Sequence, residues 1–197
     1  MSLQQLHILF VWLRRLPYSR GFGIQSPWAY RFVRYVINEH YPYYAYQDLG
    51  AYTDNALPVQ KKLLQLYFRL SNYAQAKCWG MMTGLQEPKE AFVQAGCHKT
   101  TVLAISMDDQ QLKSNQQYDV FVADIRALSS PLIAQFISQA HSNSFLVIEG
   151  INQSRRAQKQ WHSLLLDPRC GVSFDLFYCG IICFDLKLHK RNYLINF

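Results

Sequence analysis

The sequence predicts an α/β fold built on an open, mostly parallel β-sheet, and three observations support this prediction. Between residues 77 and 166, short apolar runs typical of buried strands alternate with amphipathic segments typical of helices. After the first run, Gly80 and Gly84 supply a turn into a helix, where backbone can approach a nucleotide closely. Residues 172–195 hold three strand-like runs with short links, which predicts antiparallel strands at one edge. Together these features indicate a Rossmann-like sheet.

Length and composition predict one hydrophobic core with a small appendage. The chain has 197 residues, of which 50% are hydrophobic and 15% aromatic, so it can bury enough apolar area to offset the entropy of ordering. We divide it into residues 1–55, an N-terminal helical extension with a Tyr-rich loop, and residues 56–197, the Rossmann-like core.

Charge and cysteine content restrict the classes of partner and compartment. The net charge is +7, with several arginines near the N-terminus, which suits an acidic partner but equally an ordinary solvated basic face. The five cysteines are an odd number without CxxC spacing, which favours buried thiols in a reducing compartment. The apolar stretch at residues 6–13 is too short to span a bilayer and has the wrong charge order for a secretory signal. We therefore predict a cytoplasmic protein.

The N-terminal extension contains two predicted helices. Residues 3–16 carry leucine and phenylalanine at three- and four-residue spacing until Pro17. This apolar face needs a partner, either the core or a second subunit, and we expect a homodimer through the N-terminal helices. Binding to a membrane surface is the weaker alternative because the polar face has little cationic charge. The second helix covers residues 28–36, with Ser26 as its N-cap and Pro27 at its first position.

A Tyr-rich segment, residues 41–55, precedes the core. It suits either a base-stacking surface or a loop packed over a pocket mouth, and packing is favoured because no Lys or Arg is interleaved with its rings. Helical periodicity then runs from Pro58 to Asn72. Strands are predicted at residues 77–81, 101–105, 118–124, 144–148, 172–179, 181–184 and 193–195, and helices at residues 87–94, 131–140 and 154–166.

Four segments carry a resemblance to a known family. The N-terminal part contains GFGIQSPWAYRFV, similar to an HGxHSPFVY-type segment, and residues 66–85 read LYFRLSNYAQAKCWGMMTGL, similar to an LxFRLxNYxxPxxxLELGTSLG cofactor motif. Residues 118–127, YDVFVADIRA, resemble DFVFIDGNHR, and residues 145–184 follow VLIFDDIHWSxxMxxAWxxIxxxPxVxxxIDLFxxGLVFF. The chain thus resembles bacterial class I S-adenosylmethionine-dependent methyltransferases with an N-terminal helical extension. The resemblance implies S-adenosylmethionine as cofactor and a site at Gly80, Gly84, Ser106, Asp108, Asp124 and Glu149.

The first strand departs from this pattern at the cofactor motif. Cys78 stands where the family has an acid, and a thiol cannot accept the charge-assisted hydrogen bonds of a carboxylate. Met81 and Met82 replace small polar turn residues, and their side chains would fill nucleotide space even if they serve core packing.

The second strand departs at the position that would hold the ribose. The alignment places Ser106 there, a weaker anchor than an acid, although Asp108 or Asp109 could replace it after a small register shift. Only residues 107–117 separate this strand from the next, which leaves no room for the additional strand and helix of the family. We therefore predict a sheet that lacks one βα unit.

Asp124 and Glu149 end two predicted core strands, at the edge where open α/β sheets bind ligands. Such a pair could hold a divalent metal or act as general base, whereas an exposed pair between Asp124 and Arg126 is the structural alternative. The histidines have no ligand spacing with the cysteines, so we predict neither a zinc site nor a Cys-His nucleophile.

Together these observations predict a methyltransferase-like protein that is not catalytic, has a degenerate cofactor site without a bound cofactor, and has an interaction or structural role. One alternative is an active S-adenosylmethionine-dependent methyltransferase with an atypical pocket, with Glu149 near the substrate. The second alternative is a basic nucleic-acid-binding module that uses the N-terminal arginines and residues 41–46, although we do not expect a nucleic-acid partner.

Overall fold

The computed structural model describes residues 10, 11, 13, 15–17, 23–85, 87–113 and 115–197. The predicted helix at residues 3–16 lies largely outside the described residues, and so does the homodimer interface assigned to it. Its described residues, from Phe10 to Arg15, are helical.

The α/β prediction is confirmed by a seven-stranded sheet. Its strands are β1 (Cys78–Met82), β2 (Thr101–Ile105), β3 (Val120–Asp124), β4 (Phe145–Glu149), β5 (Ser173–Asp175), β6 (Cys179–Cys183) and β7 (Asn192–Leu194), in the spatial order β2-β1-β3-β4-β6-β5-β7. β1 to β4 are parallel. β6 is antiparallel to both of its neighbours, and β5 pairs parallel with β7. The antiparallel direction predicted for the C-terminal strands therefore belongs to β6, whereas β5 and β7 run in the direction of the core strands.

Helices cover both faces of this sheet. They are α1 (Pro27–Phe32), continued by a π-helical turn (Val33–Ile37), α2 (Ala45–Asp48), α3 (Pro58–Ala74), α4 (Lys89–Gly96), α5 (Pro131–Gln139) and α6 (Arg155–Leu165). The predicted Ser26 cap is present, because its hydroxyl accepts a hydrogen bond from the Ala29 N–H of α1. Ser154, the first residue of the helix predicted over residues 154–166, caps α6 in the same way.

Strand alternation divides the core into two buried clusters. Trp79 and Met81 of β1 face the cluster that includes α1 and α3, whereas Cys78 and Met82 face the cluster that includes α5 and α6. In the first cluster, Phe32 of α1 stacks on Phe145 and Phe174 of the sheet. The N-terminal extension thus shares a core with the sheet.

Arg69 of α3 ties the extension to the core by hydrogen bonds. Its side chain is 5% exposed, and its guanidinium donates to the carbonyl oxygens of Val36 at 2.6 Å and Ile37 at 2.9 Å. These carbonyls end the π-helical turn, where backbone acceptors lack helical partners. Arg69 therefore anchors the helical extension to the core.

The connection between β2 and β3 has neither strand nor helix among its described residues, 106–113 and 115–119. β2 pairs only with β1, so it forms one edge of the sheet. The loop instead packs back on the sheet through Leu112, which is buried with Met82 and Tyr118. The prediction of a sheet shortened by one βα unit agrees with this topology.

Candidate functional site

Glu149 lies at the carboxyl end of β4 within a cluster of polar side chains. Its carboxylate accepts a hydrogen bond from the Tyr67 hydroxyl of α3 at 2.6 Å. The other oxygen accepts from the Lys89 ammonium at the start of α4, at 3.0 Å, and both side chains of this ion pair are 15% exposed. Three elements thus converge on one carboxylate, and we call these residues the Glu149 cluster.

The protonation of Tyr67 follows from its surroundings. Burial, and then the charge and hydrogen bond of Glu149, raise the pKa of the Tyr67 hydroxyl well above its ordinary value of 10. The phenol therefore remains a donor to the carboxylate. Burial, with the same carboxylate as a further cause, also raises the pKa of the Cys179 thiol on the adjacent strand, which keeps this cysteine a protonated, unreactive core residue.

Two open clefts meet at the Glu149 cluster. The first, of about 580 Å³, lies between α3, the loop that follows β4 and the β5–β6 turn. The second, of about 510 Å³, lies between α3, the start of α4 and the segment after α2. Glu149 and Leu63 line both clefts. The Tyr-rich segment contributes Tyr52 to the second cleft, while Tyr43 and Tyr46 pack on Phe68. This agrees with the interpretation of the segment as packing at a pocket mouth.

Asp124 lies beside Glu149 in the register of β3 and β4 but has a different partner. Arg126 donates to the Asp124 carboxylate from its backbone N–H, its Nε and its Nη2, at 2.7–3.2 Å. Burial raises the pKa of Asp124, but the hydrogen bonds and charge of Arg126 outweigh this effect, so the pKa lies below its ordinary value of 3.8. The structure therefore contains the Asp124–Arg126 pair that was the alternative to a metal site.

The space beside Gly80 is filled by side chains. A Cβ atom at Gly80 would lie 2.8 Å from Phe121, 2.9 Å from Tyr118 and 3.0 Å from Ile105. β1 continues two residues further, with Met81 and Met82 both buried. Gly80 is thus a close-packed position inside a strand, and the turn begins later, at Thr83.

Gly84 and the residues after β2 lie in exposed turns. Gly84 has a φ of +84°, and no atom lies within 4 Å of the position a Cβ would take. After β2, the Ser106 hydroxyl accepts from the Asp108 N–H, and the Asp109 carboxylate accepts from the Ser106 N–H. Ser106 and Asp109 are therefore occupied by hydrogen bonds within the turn, while the Asp108 side chain is exposed.

The residues at this edge do not fit S-adenosylmethionine in the way the resemblance implies. The glycine of β1 is packed against side chains, and Cys78 is buried with a pKa raised to about 11, by burial first and then by Asp119. The carboxylates of Asp124 and Glu149 are engaged by cations of the chain. No strand beyond β2 is present among the described residues to cover a bound base.

Sequence reasoning missed Tyr67 and Lys89. Tyr67 follows the apolar periodicity of α3, so only the fold reveals its hydroxyl at Glu149. Lys89 could have been noticed in the sequence, because the helix dipole disfavours a cation in the first turn of a helix. In the structure, its ion pair with Glu149 offsets this unfavourable interaction.

The described part of the chain lacks two other kinds of feature. It contains no group of three His, Cys, Asp or Glu side chains that could hold a metal ion. None of its helices combines the length and apolarity that crossing a bilayer requires. All five cysteines are free and buried.

Solved structures share this fold at low sequence identity. The cofactor-bound crystal structure of Rv0187 from MTB matches with a TM-score of 0.52 and 11% identity, covering 72% of this chain and 87% of that chain. The crystal structure of a putative caffeoyl-CoA O-methyltransferase from Staphylococcus aureus matches with a TM-score of 0.50 and 9% identity, covering 92% and 100%. No protein-family model matches the chain, and no curated protein matches it significantly. The chain therefore has a methyltransferase-like α/β fold.

Proposed function

We propose that this protein is a non-catalytic member of the methyltransferase-like fold, with a degenerate cofactor site and an interaction or structural role. The observation that carries the proposal is the packing around Gly80. Of the two glycines that the resemblance assigns to the cofactor, Gly80 offers no space because three buried side chains pack against it, and only Gly84 in the following turn is open.

The charges at the strand ends support the same proposal. A carboxylate binds sugar hydroxyls by accepting their hydrogen bonds with free oxygen lone pairs. Asp124 is bound by Arg126 through several donors, and Glu149 is bound by Tyr67 and Lys89. Each carboxylate therefore has fewer free lone pairs to offer to a ligand, because donors of the chain already use part of its capacity.

Calorimetric titration with S-adenosylmethionine tests the proposal. We expect no heat of binding up to millimolar ligand, because Gly80 is packed against side chains and both strand-end acids are already paired with cations of the chain. A cofactor-binding methyltransferase titrated in the same buffer is the positive control for the ligand. Micromolar affinity would contradict the proposal.

A substitution at Gly80 checks the packing itself. We expect Gly80→Ala to lower the free energy of unfolding by about 1–3 kcal/mol, because the added methyl group overpacks a buried cluster. Urea denaturation measures the change. Gly50→Ala is the matched control, because its Cβ would meet only Asp54 at 3.8 Å. A Gly80→Ala protein as stable as the wild type would mean that open space exists beside this strand.

The Glu149 cluster favours an active methyltransferase with an atypical pocket as the second candidate. A largely buried carboxylate where two clefts meet is a common feature of ligand sites. In this candidate, Gly80, Gly84, Asp108 and Asp124 contact the cofactor, and Glu149 lies near the substrate. The same titration separates the two functions, because this candidate requires saturable binding that Asp124→Asn or Glu149→Gln weakens.

A further inference from the structure

We propose that β2 is an interaction surface that pairs antiparallel with β2 of a second copy of this chain. The inference uses only the sheet topology and the residues around this strand, so it is independent of whether S-adenosylmethionine binds. It also assigns the dimer interface to the sheet edge rather than to the N-terminal helices.

The backbone of β2 leaves hydrogen-bonding groups free at the sheet edge. The Thr101 N–H donates to the Lys77 carbonyl at 2.9 Å, and the Ile105 carbonyl accepts from the Thr83 N–H at 2.8 Å, so these residues direct their backbone groups toward β1. Because successive residues of a strand alternate, Val102 and Ala104 direct theirs outward. No described residue pairs with them there.

The side chains of β2 do not protect this edge. Natural edge strands avoid pairing with other chains because they contain proline, charged residues or bulges, or because they are very short. The five residues of β2, TVLAI, contain no proline and no charge, and Thr101 and Ala104 are exposed. At the opposite edge, β7 has only three residues and directly follows the exposed Arg191. The two edges therefore differ, and β2 is the one suited to pairing.

An antiparallel pair centred on Leu103 satisfies the outward groups. Each Val102 N–H would donate to the partner's Ala104 carbonyl, and each Ala104 N–H to the partner's Val102 carbonyl. Leu103 would face the partner's Leu103 in a close, non-hydrogen-bonded pair. Such a two-fold contact is closed, so it produces a dimer rather than a fibre.

The charges that flank β2 favour this antiparallel arrangement. The exposed His98 and Lys99 precede the strand, and the exposed Asp108 follows it. An antiparallel second copy brings Lys99 near the partner's Asp108, whereas a parallel copy would bring like charges together. Opposite charges across strands stabilise pairing and like charges oppose it.

Sedimentation equilibrium of the full chain tests the proposal. We expect the wild type to dimerise in the micromolar range and Ala104→Pro to weaken dimerisation roughly 10- to 100-fold, because proline removes an outward N–H from each copy. β1 does not use this N–H, so the proline is compatible with an edge strand. Ala104→Ser, which keeps the N–H, is the matched control and should dimerise like the wild type.

Charge substitution supplies a test that a folding defect does not imitate. Lys99→Glu and Asp108→Lys should each weaken the dimer, and the double variant should restore it, because opposite charges again face each other. Both side chains are exposed, so we expect these variants to fold normally.

A cysteine at the two-fold position reports the register directly. Under mild oxidation, Leu103→Cys should form a disulfide-linked dimer, because the Cα atoms of such a pair lie about 4.5 Å apart. Thr101→Cys, on the same face of the same strand, should remain uncrosslinked because its copies lie far apart. The native cysteines are buried and do not compete. A monomeric wild type, a dimer unaffected by Ala104→Pro, or equal crosslinking of both cysteine variants would each overturn the proposal.

Discussion

Replacing Lys89 with methionine should lower the free energy of unfolding by about 2–4 kcal/mol, because removing one partner of a largely buried ion pair leaves the other charge uncompensated. The apolar stem of methionine preserves most of the packing, so the loss reports the charge. Tyr67 still donates to Glu149 in this variant, which keeps the loss below that of a fully orphaned carboxylate. Urea denaturation at neutral pH measures the change.

The coupling energy between Lys89 and Glu149 tests their ion pair more directly than the single variant does. The double variant Lys89→Met with Glu149→Gln should be more stable than Lys89→Met alone, by at least about 1 kcal/mol, because the neutral amide leaves no charge uncompensated. Lys61→Met, at an exposed position of α3, is the control and should change stability by less than about 0.5 kcal/mol. Strictly additive losses in the double variant would mean that the two side chains do not interact.

Replacing Arg69 with methionine should cost about 3 kcal/mol of stability. The variant loses hydrogen bonds from a charged donor to the carbonyls of Val36 and Ile37 and leaves these acceptors unsatisfied in the core. Because the carbonyls belong to the N-terminal extension, the extension should detach before the sheet unfolds. Limited trypsin digestion should then cleave at the exposed Arg31 and Arg34 much faster than in the wild type.

Arg69→Lys is the matched control for this effect. A lysine keeps the charge but cannot reproduce the fork of the guanidinium, so we expect an intermediate loss of stability. If Arg69→Met digests at the wild-type rate, then aromatic packing of Phe32 on the sheet, rather than the hydrogen bonds, holds the extension.

Much of this fold could be predicted from local pattern. The buried strands read as apolar runs because both of their faces are covered, and Ser26 and Pro27 mark a helix start because a cap has a local hydrogen-bonding requirement. The absence of a βα unit after β2 could be predicted from the length of the segment between β2 and β3, because a crossover needs a minimum number of residues. Strand direction at the C-terminal edge could not be read in this way, since pairing of β5 with β7 depends on where the chain returns.

The candidate site shows the limit of such reasoning. The sequence by itself determined that Asp124 and Glu149 each end a core strand and that Cys78, Met81 and Met82 stand in the cofactor motif. Arg126, two residues from Asp124, was open to sequence reasoning as the partner of that acid, but only the tertiary structure decided that Tyr67 and Lys89 bind Glu149 and that Phe121 and Tyr118 fill the space beside Gly80. Backbone periodicity depends on near neighbours along the chain, whereas the partner of a buried charge is set by helices that are distant in sequence and meet only when the core packs.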